Sequence, residues 1–216
     1  MIEQYSSEWF AARAGKVTAS RVSDVVAKTK TGWGASRANY MAQLITERLT
    51  GEPGESYTNA AMQWGIDTEP QAIRAYEFYR GNTVEPIGFI EHPEIAMAGA
   101  SPDGGINDGL VECKCPNSAT HLDTLLDGKI PSKYATQMQW QMACSGRLWC
   151  DFISFDPRMP ERHALFVKRL MRDREEIIRL ERAVATFIRE MDAKIAELEG
   201  RSNIKDALRE SVALEG

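Results

Sequence analysis

Residues 101–116 read SPDGGINDGLVECKCP, and the fold turns on how this stretch is laid out. Side chains alternate between the two faces of a strand. If VECKCP is a strand, Glu112 and Lys114 share one face, and Val111, Cys113 and Cys115 share the other. The apolar face suits burial. The Glu–Lys face is costly to bury unless the charges are paired or bind something. Asp103 stands nine positions before Glu112, and glycines at 104, 105 and 109 make GGINDG rich in turn formers. A turn there folds the Asp103 segment back beside the Glu112 strand and brings two carboxylates to one place.

Two carboxylates and a nearby backbone carbonyl make a hard oxygen site. Magnesium prefers such ligands and usually keeps several waters. Such an ion polarises a phosphoryl oxygen and lowers the pKa of a bound water. A lysine two residues from the glutamate can orient that water and offset charge in the transition state. Phosphodiester hydrolysis asks for this arrangement. The bare spacing of Asp, Glu and Lys also occurs in surface hairpins that carry a Glu–Lys pair. The turn-forming glycines, and the otherwise apolar strand ending before Pro116, favour the metal reading.

Upstream of this stretch the chain reads as helical. Glu8, Trp9, Phe10 and Arg13 mark a first helix, and Thr18 or Ser20 can cap a second, SRVSDVVAK. TKTGWGASR reads as a loop carrying Lys28, Lys30 and Arg37 around Trp33. Residues 37–50 have helical periodicity, with Tyr40, Met41, Leu44, Ile45 and Leu49 on one side. After a turn at GEPGES, residues 58–80 form another helix, in which Pro70 predicts a first turn or a kink. TVEPIGFIEH, IAMAGASPD and GLVECKCP are strand-like. Residues 118–127 and 131–145 return to helix, and LWCDFISFD and HALFVKRLM are further strands. From residue 172 to 200 the chain is a long helix with Ile177, Leu180, Val184, Phe187, Met191, Ile195 and Leu198 at three- and four-residue steps. That seam packs on its own domain or on another subunit. Helices, strands, helix, strands and helix in this order predict a mixed sheet flanked by helices, an α/β or α+β domain.

The composition is that of a globular chain. It has 216 residues, 43% of them hydrophobic, enough for one sizeable domain. No apolar run approaches the roughly 20 residues of a membrane span, and the N-terminus has no signal-peptide pattern. The cytoplasm is the expected location. Cys113, Cys115, Cys144 and Cys150 have a poor spacing for zinc and read as buried reduced thiols. A net charge of −5 argues mildly against a uniformly basic nucleic-acid surface, though binding depends on a local patch.

SPDG followed by ECKCP resembles the catalytic signature of the PD-(D/E)xK nucleases. Further blocks resemble the phage lambda exonuclease and YqaJ-type viral recombinase branch: RAGKVTAS at 13–20, WGIDTEPQA at 64–72, ASPDG at 100–104, ECKCP at 112–116, YATQMQWQM at 134–142 and FDPRM at 155–159. They occur in family order and cover residues 8 to about 195. The resemblance implies a restriction-endonuclease-like core over 1–200 with a C-terminal tail at 201–216. It implies a magnesium-dependent enzyme, manganese substituting, that digests one strand of linear double-stranded DNA from its 5′ end and leaves a 3′ overhang. It further implies a homotrimeric ring that works with a single-strand annealing protein in phage-type recombination, encoded by a phage or prophage in a bacterial host.

Carried over by motif, Asp103 and Glu112 would bind metal with the main-chain carbonyl of Cys113, and Lys114 would position the attacking water. Glu69 matches an additional acidic residue. Gln139 matches the family glutamine on the helix after the catalytic strand, with Gln137 a close second. Arg13, Ser20 and Ser101 match positions that hold a terminal 5′-phosphate, for which arginine and serine supply donors. The segment with Lys28, Lys30 and Trp33 departs most from the family pattern; it either reaches DNA or is a plain solvated loop. Two other readings stay open: a nuclease of this fold with endonuclease action or another polarity, and a non-catalytic DNA-binding subunit. The filled acid, acid and lysine positions disfavour the last.

Overall fold

The computed structural model describes residues 3–30, 32–54 and 59–214, with side chains to residue 201. Thr31, residues 55–56 of the GEPGES turn, and Thr58 at the start of the expected fourth helix lie outside the described residues.

The Asp103–Glu112 stretch is a tight hairpin. β6 (Gly104–Ile106) and β7 (Gly109–Lys114) pair antiparallel, with Gly104 opposite Val111 and Ile106 opposite Gly109. The two-residue connection is Asn107-Asp108, and Asn107 has a φ of 53°. Two-residue hairpin loops favour such left-handed backbone, which asparagine tolerates better than most residues. From β7 the chain crosses through α5 (Ser118–Asp127) and α6 (Ser132–Ser145) to β8 (Trp149–Phe155), which lies parallel to β7. After the short α7 (Glu161–Ala164), β9 (Leu165–Met171) returns antiparallel to β8. The sheet order is β6-β7-β8-β9, a mixed sheet flanked by helices as the order of segments predicts.

Strand alternation assigns its faces. Val111, Cys113, Ile153 and Phe155 pack with Ala72 and Tyr76 of α4 (Ala60–Arg80). Leu110, Cys150 and Phe152 pack on the other side against Met138 and Met142 of α6. The sheet is thus the middle of three layers, and Glu112 lies on the α6 side.

A second small sheet joins the N-terminal region to this core. β1 (Val17–Thr18) is parallel to β5 (Ala98–Ala100), and β4 (Ile90–Glu91) is antiparallel to it. β5 runs directly into Ser101-Pro102-Asp103, so this sheet sets where the first carboxylate begins. Around it lie α1 (Ser7–Arg13), α3 (Ala35–Thr50), α6 and α8 (Arg174–Leu214). Tyr40, Leu44, Trp140, Leu180, Val184, Phe187 and Met191 form the shared core of α3, α6 and α8. Tyr40 stacks on Phe187 at 5.9 Å between ring centroids. Arg37–Glu190 at 2.8 Å and Arg48–Asp192 at 2.5 Å pair α3 with α8. The seam read along α8 therefore packs on its own domain. The helix continues to Leu214 rather than ending at 200.

Three local expectations change. SRVSDVVAK is only a 3-10 turn (Ala19–Arg21) followed by one α turn, α2 (Val22–Val25), with no side-chain cap from Thr18. TKTGWGASR contains a hairpin of β2 (Lys28–Thr29) and β3 (Gly32–Trp33), where glycine and polar composition suggest a loop. Pro70 lies within α4, far from its first turn, and the helix runs through it. Proline there removes one N–H and crowds the preceding turn. Packing of Ala72 and Tyr76 against the sheet outweighs that cost. All four cysteines are free; Cys113, Cys144 and Cys150 are buried and Cys115 half-buried.

Candidate active site

The hairpin brings the three residues of the signature together. The Cys113 backbone N–H donates to Asp103 Oδ2 at 2.7 Å. Lys114 Nζ pairs with Glu112 Oε1 and lies 3.9 Å from Asp103 Oδ2. Glu112 is fully buried, and a carboxylate there needs donors for both oxygens. Two glutamines of α6 supply them. Gln137 Nε2 donates to Oε1 at 2.7 Å and Gln141 Nε2 to Oε2 at 2.6 Å.

Gln139 is not part of this cluster, a correction to the motif-based reading. Its amide donates to the Met171 carbonyl at 2.9 Å and its Oε1 accepts from the Asp173 N–H at 3.0 Å. It ties the end of β9 to the start of α8. The reason is helical geometry: residues four apart share a face, so Gln137 and Gln141 point one way and Gln139 another.

Glu69 reaches the same place from α4. It lines a cleft of about 540 Å³ together with Cys113, Lys114, Cys115, Tyr134 and Tyr5. Burial pushes its carboxyl pKa up, Lys114 pulls it down, Glu112 pushes it up again, and the net direction is upward. Burial likewise lifts the Asp103 carboxyl well above the usual range, with Glu112 adding to the rise and Lys114 opposing it. Burial alone would lower the Lys114 pKa, but Glu112 and Asp103 outweigh it and hold the ammonium well above its ordinary value.

α4 is fixed from outside the cleft. Tyr76 Oη donates to the buried Asp151 at 2.7 Å, and Arg80 and Arg169 pair with the same carboxylate. In the FDPRM block, Asp156 holds Arg158, whose guanidinium donates to the Pro116 carbonyl at 3.1 Å and stacks over Trp64 at 4.5 Å. Arg158 thus ties the end of the catalytic strand to the helix that carries Glu69.

A second cleft, of about 600 Å³, adjoins the first; Tyr5, Met62 and Ile66 line both. Arg13 and Ser20 line the second cleft. Ser101 joins through a closed triangle. Arg13 NH1 and Trp9 Nε1 each donate to Ser101 Oγ at 3.0 Å, and the Arg13 guanidinium lies over the Trp9 ring at 3.9 Å. Ser20, exposed, contacts Thr18 Oγ1 at 3.5 Å. Lys28, Lys30 and Trp33 line neither cleft; they are exposed on the β2–β3 hairpin, where Arg37 stacks under Trp33 at 4.2 Å. Gln141, Trp9 and Tyr5 are the site residues that the motifs did not single out. For Gln141 the signal was its four-residue spacing from Gln137.

The donor set suits a hard divalent ion. Among the described residues no three His, Cys, Asp or Glu side chains are gathered so as to hold a metal by themselves. Asp103 and Glu112 are the carboxylates that could hold such an ion, with water completing its shell as magnesium allows.

Comparison with known proteins identifies the family and the fold. Residues 8–148 match the model of the YqaJ-like viral recombinase domain. An alkaline exonuclease from Laribacter hongkongensis, LHK-Exo, is 49% identical, with a TM-score of 0.86 over 92% of this chain and 98% of that one. A second structure of it, in complex with dAMP, matches equally well. A phage-related exonuclease from Haemophilus somnus 129PT shares the fold at 18% identity, with a TM-score of 0.70 over 85% of this chain and 96% of that one. No curated protein matches the chain.

Proposed function

Because the chain belongs to the YqaJ-like viral recombinase family, we propose that it is a magnesium-dependent exonuclease that digests one strand of linear duplex DNA from the 5′ end. The product is a duplex with a 3′ single-stranded overhang. The observation that carries this reading is the pair of adjoining clefts, one lined by Glu69 and Lys114 and one by Arg13 and Ser20, with Tyr5, Met62 and Ile66 as common walls. An end-reading pocket beside a hydrolytic centre is what stepwise removal from a phosphorylated terminus requires. The alkaline exonuclease among its relatives supports the same chemistry.

Asp103, Glu112 and the Cys113 carbonyl would hold the ion, with Glu69 close by. Such an ion supplies the Lewis acidity that polarises a phosphoryl oxygen and makes water a nucleophile near neutral pH. Lys114 stays protonated, orients the attacking water and offsets negative charge as it grows on the phosphoryl oxygens. Gln137 and Gln141 hold Glu112 in one orientation by donating one N–H to each of its oxygens. Beside the second cleft, Ser101 Oγ already accepts from Arg13 and Trp9. Its own O–H is left to donate, as a phosphate oxygen needs. Arg13 adds a cationic donor fork.

The reading extends to assembly and setting: a homotrimeric ring, a single-strand annealing partner, and a phage or prophage system in the bacterial cytoplasm. A ring with an inward basic surface and an acidic exterior reconciles the net charge of −5 with DNA. Light scattering at micromolar concentration tests it, since a monomer contradicts the ring.

The deciding experiment is digestion of a linear duplex labelled separately at each strand end, with and without magnesium. Loss of the 5′ labels first, only with metal, is the expected result. Loss of the 3′ labels first, or internal cuts, overturns the polarity.

A further inference from the structure

We infer that Tyr5 is a stacking platform for the terminal nucleobase of the strand being digested, and so a positioning residue at the junction of the two clefts. This rests on the exonuclease reading.

Three observations carry it. The first is placement. Tyr5 lines both the cleft with Glu69 and Lys114 and the cleft with Arg13 and Ser20, so its ring stands where a nucleotide spanning them must pass. Its phenol senses the catalytic charges: burial first, then Glu69 and Asp103, raise its pKa to about 12. It therefore presents a neutral ring.

The second is the backbone. Tyr5 has a φ of 67°. Glycine adopts that conformation freely, and a side chain with a Cβ does so against steric cost. The Ser6 N–H bonds the Glu3 carbonyl at 3.3 Å, which places Tyr5 third in a tight turn. At that place a type II turn demands positive φ and favours glycine. The turn is pinned by Gln4, whose Nε2 donates to the Ile87 carbonyl at 3.1 Å and the Pro102 carbonyl at 2.8 Å. A large aromatic is thus held in a glycine-type position next to the Asp103 segment.

The third is exposure. The residue is 47% exposed, and its hydroxyl has no hydrogen-bond partner among the described residues. One edge leans on Trp9, with ring centroids 5.3 Å apart and a 44° tilt. Core packing explains neither the size of the side chain nor the strained backbone. Aromatic rings recognise nucleobases by their faces, and the contact tolerates every base.

The test pairs variants of the full-length protein with substrates. Wild type, Tyr5→Phe, Tyr5→Ala and Tyr5→Gly are compared on a 5′-phosphorylated duplex whose terminal nucleotide carries a base or is abasic. The expected result is a drop of about tenfold in single-turnover rate for Tyr5→Ala on the normal end, the scale of a lost base–aromatic stack. Wild type shows a similar drop on the abasic end, Tyr5→Ala shows no further drop there, and Tyr5→Phe restores discrimination. Tyr5→Gly relieves the backbone, so it melts no lower than wild type yet cleaves as slowly as Tyr5→Ala. It also keeps the test decisive if Tyr5→Ala folds poorly. A 2-aminopurine at the terminus, bound to Lys114→Ala protein, gives a readout independent of cleavage: its fluorescence is quenched with Tyr5 or Phe present and recovers with Gly. Equal penalties on both ends, or unchanged quenching in the glycine variant, overturn the platform. Failure of wild type itself to digest either duplex overturns the exonuclease reading instead.

Discussion

The backbone N–H of Cys113 donates to the Asp103 carboxylate at 2.7 Å, so the first acid of the site is fastened to the strand that carries the second. Oδ2 of Asp103 accepts that bond and lies 3.9 Å from Lys114 Nζ. Replacing Asp103 by asparagine keeps an acceptor for Cys113 and removes the charge. Asp103→Asn is expected to bind manganese about tenfold or more weakly by calorimetry, with little change in melting temperature. Asp103→Ala loses both the ligand and the strap and melts lower. Unaltered metal affinity in both variants removes Asp103 from the ligand set.

Lys114 serves the chemical step. Its substitution by alanine is expected to lower single-turnover cleavage by about 10²–10³-fold, the scale of losing one electrostatic stabiliser of the transition state. DNA binding by fluorescence anisotropy stays close to that of wild type. Cleavage at the wild-type rate would falsify the assignment.

The three glutamines of α6 separate cleanly. Gln141→Leu leaves one oxygen of buried Glu112 without its donor, which costs about 1.5–3 kcal/mol for a charged acceptor. Cleavage falls with it. Gln139→Ala is expected to lower the melting temperature by freeing the β9–α8 junction while the rate per folded molecule stays the same. If Gln139→Ala slows cleavage more than Gln141→Leu, the register is wrong.

For the end-reading pocket, duplexes with 5′-phosphate and 5′-hydroxyl termini are compared. Wild type prefers the phosphate, and Arg13→Ala abolishes the preference while Ser101→Ala weakens it. Equal wild-type rates on the two ends contradict the pocket.

His92 supplies a stability test. Its Nδ1 accepts the N–H groups of Glu94 and Ile95, both at 3.2 Å, and its ring stacks on Trp140 at 4.9 Å. Burial lowers its pKa; Glu181, 3.4 Å away, and Glu94 oppose this without reversing it, and Arg172 adds to it. A depressed histidine pKa means that the folded state prefers the neutral ring. The stabilisation is complete above the unfolded value of about 6.5 and is lost as pH falls through the folded value. Melting temperature should decline below neutrality by calorimetry, and less steeply in His92→Asn. An equal slope in that variant assigns the acid sensitivity elsewhere.

Much of the fold was legible where local chemistry and long-range packing agree. The hairpin of Asp103 and Glu112 followed from turn-forming residues and period-two alternation, and α8 from its apolar seam. What escaped depended on neighbours. Strands as short as Val17–Thr18 and Lys28–Thr29 carry no periodicity, because pairing across the chain creates them. Pro70 misled because the sheet beneath α4 supplies the stabilisation that the helix lacks. At the site, motif matching named Asp103, Glu112 and Lys114, which the structure brings into contact, and Glu69, which shares a cleft with Lys114, but it assigned Gln139 by position along the chain. Only the helical face shows that Gln137 and Gln141 meet Glu112. Trp9 and Tyr5 were invisible as site residues because their partners lie far along the sequence.

The pairing of α8 with α3 bears on how the molecule is made. Tyr40, Arg37 and Arg48 find Phe187, Glu190 and Asp192 only after the chain has been synthesised past them. Translation runs from the N-terminus, so a nascent chain that already displays Asp103, Glu112 and Lys114 still lacks a wall of the core supporting Arg13 and Ser101. The hydrolytic residues are therefore complete before the framework of the end-reading pocket is. Competence for the proposed reaction therefore waits until α8 closes the N-terminal core.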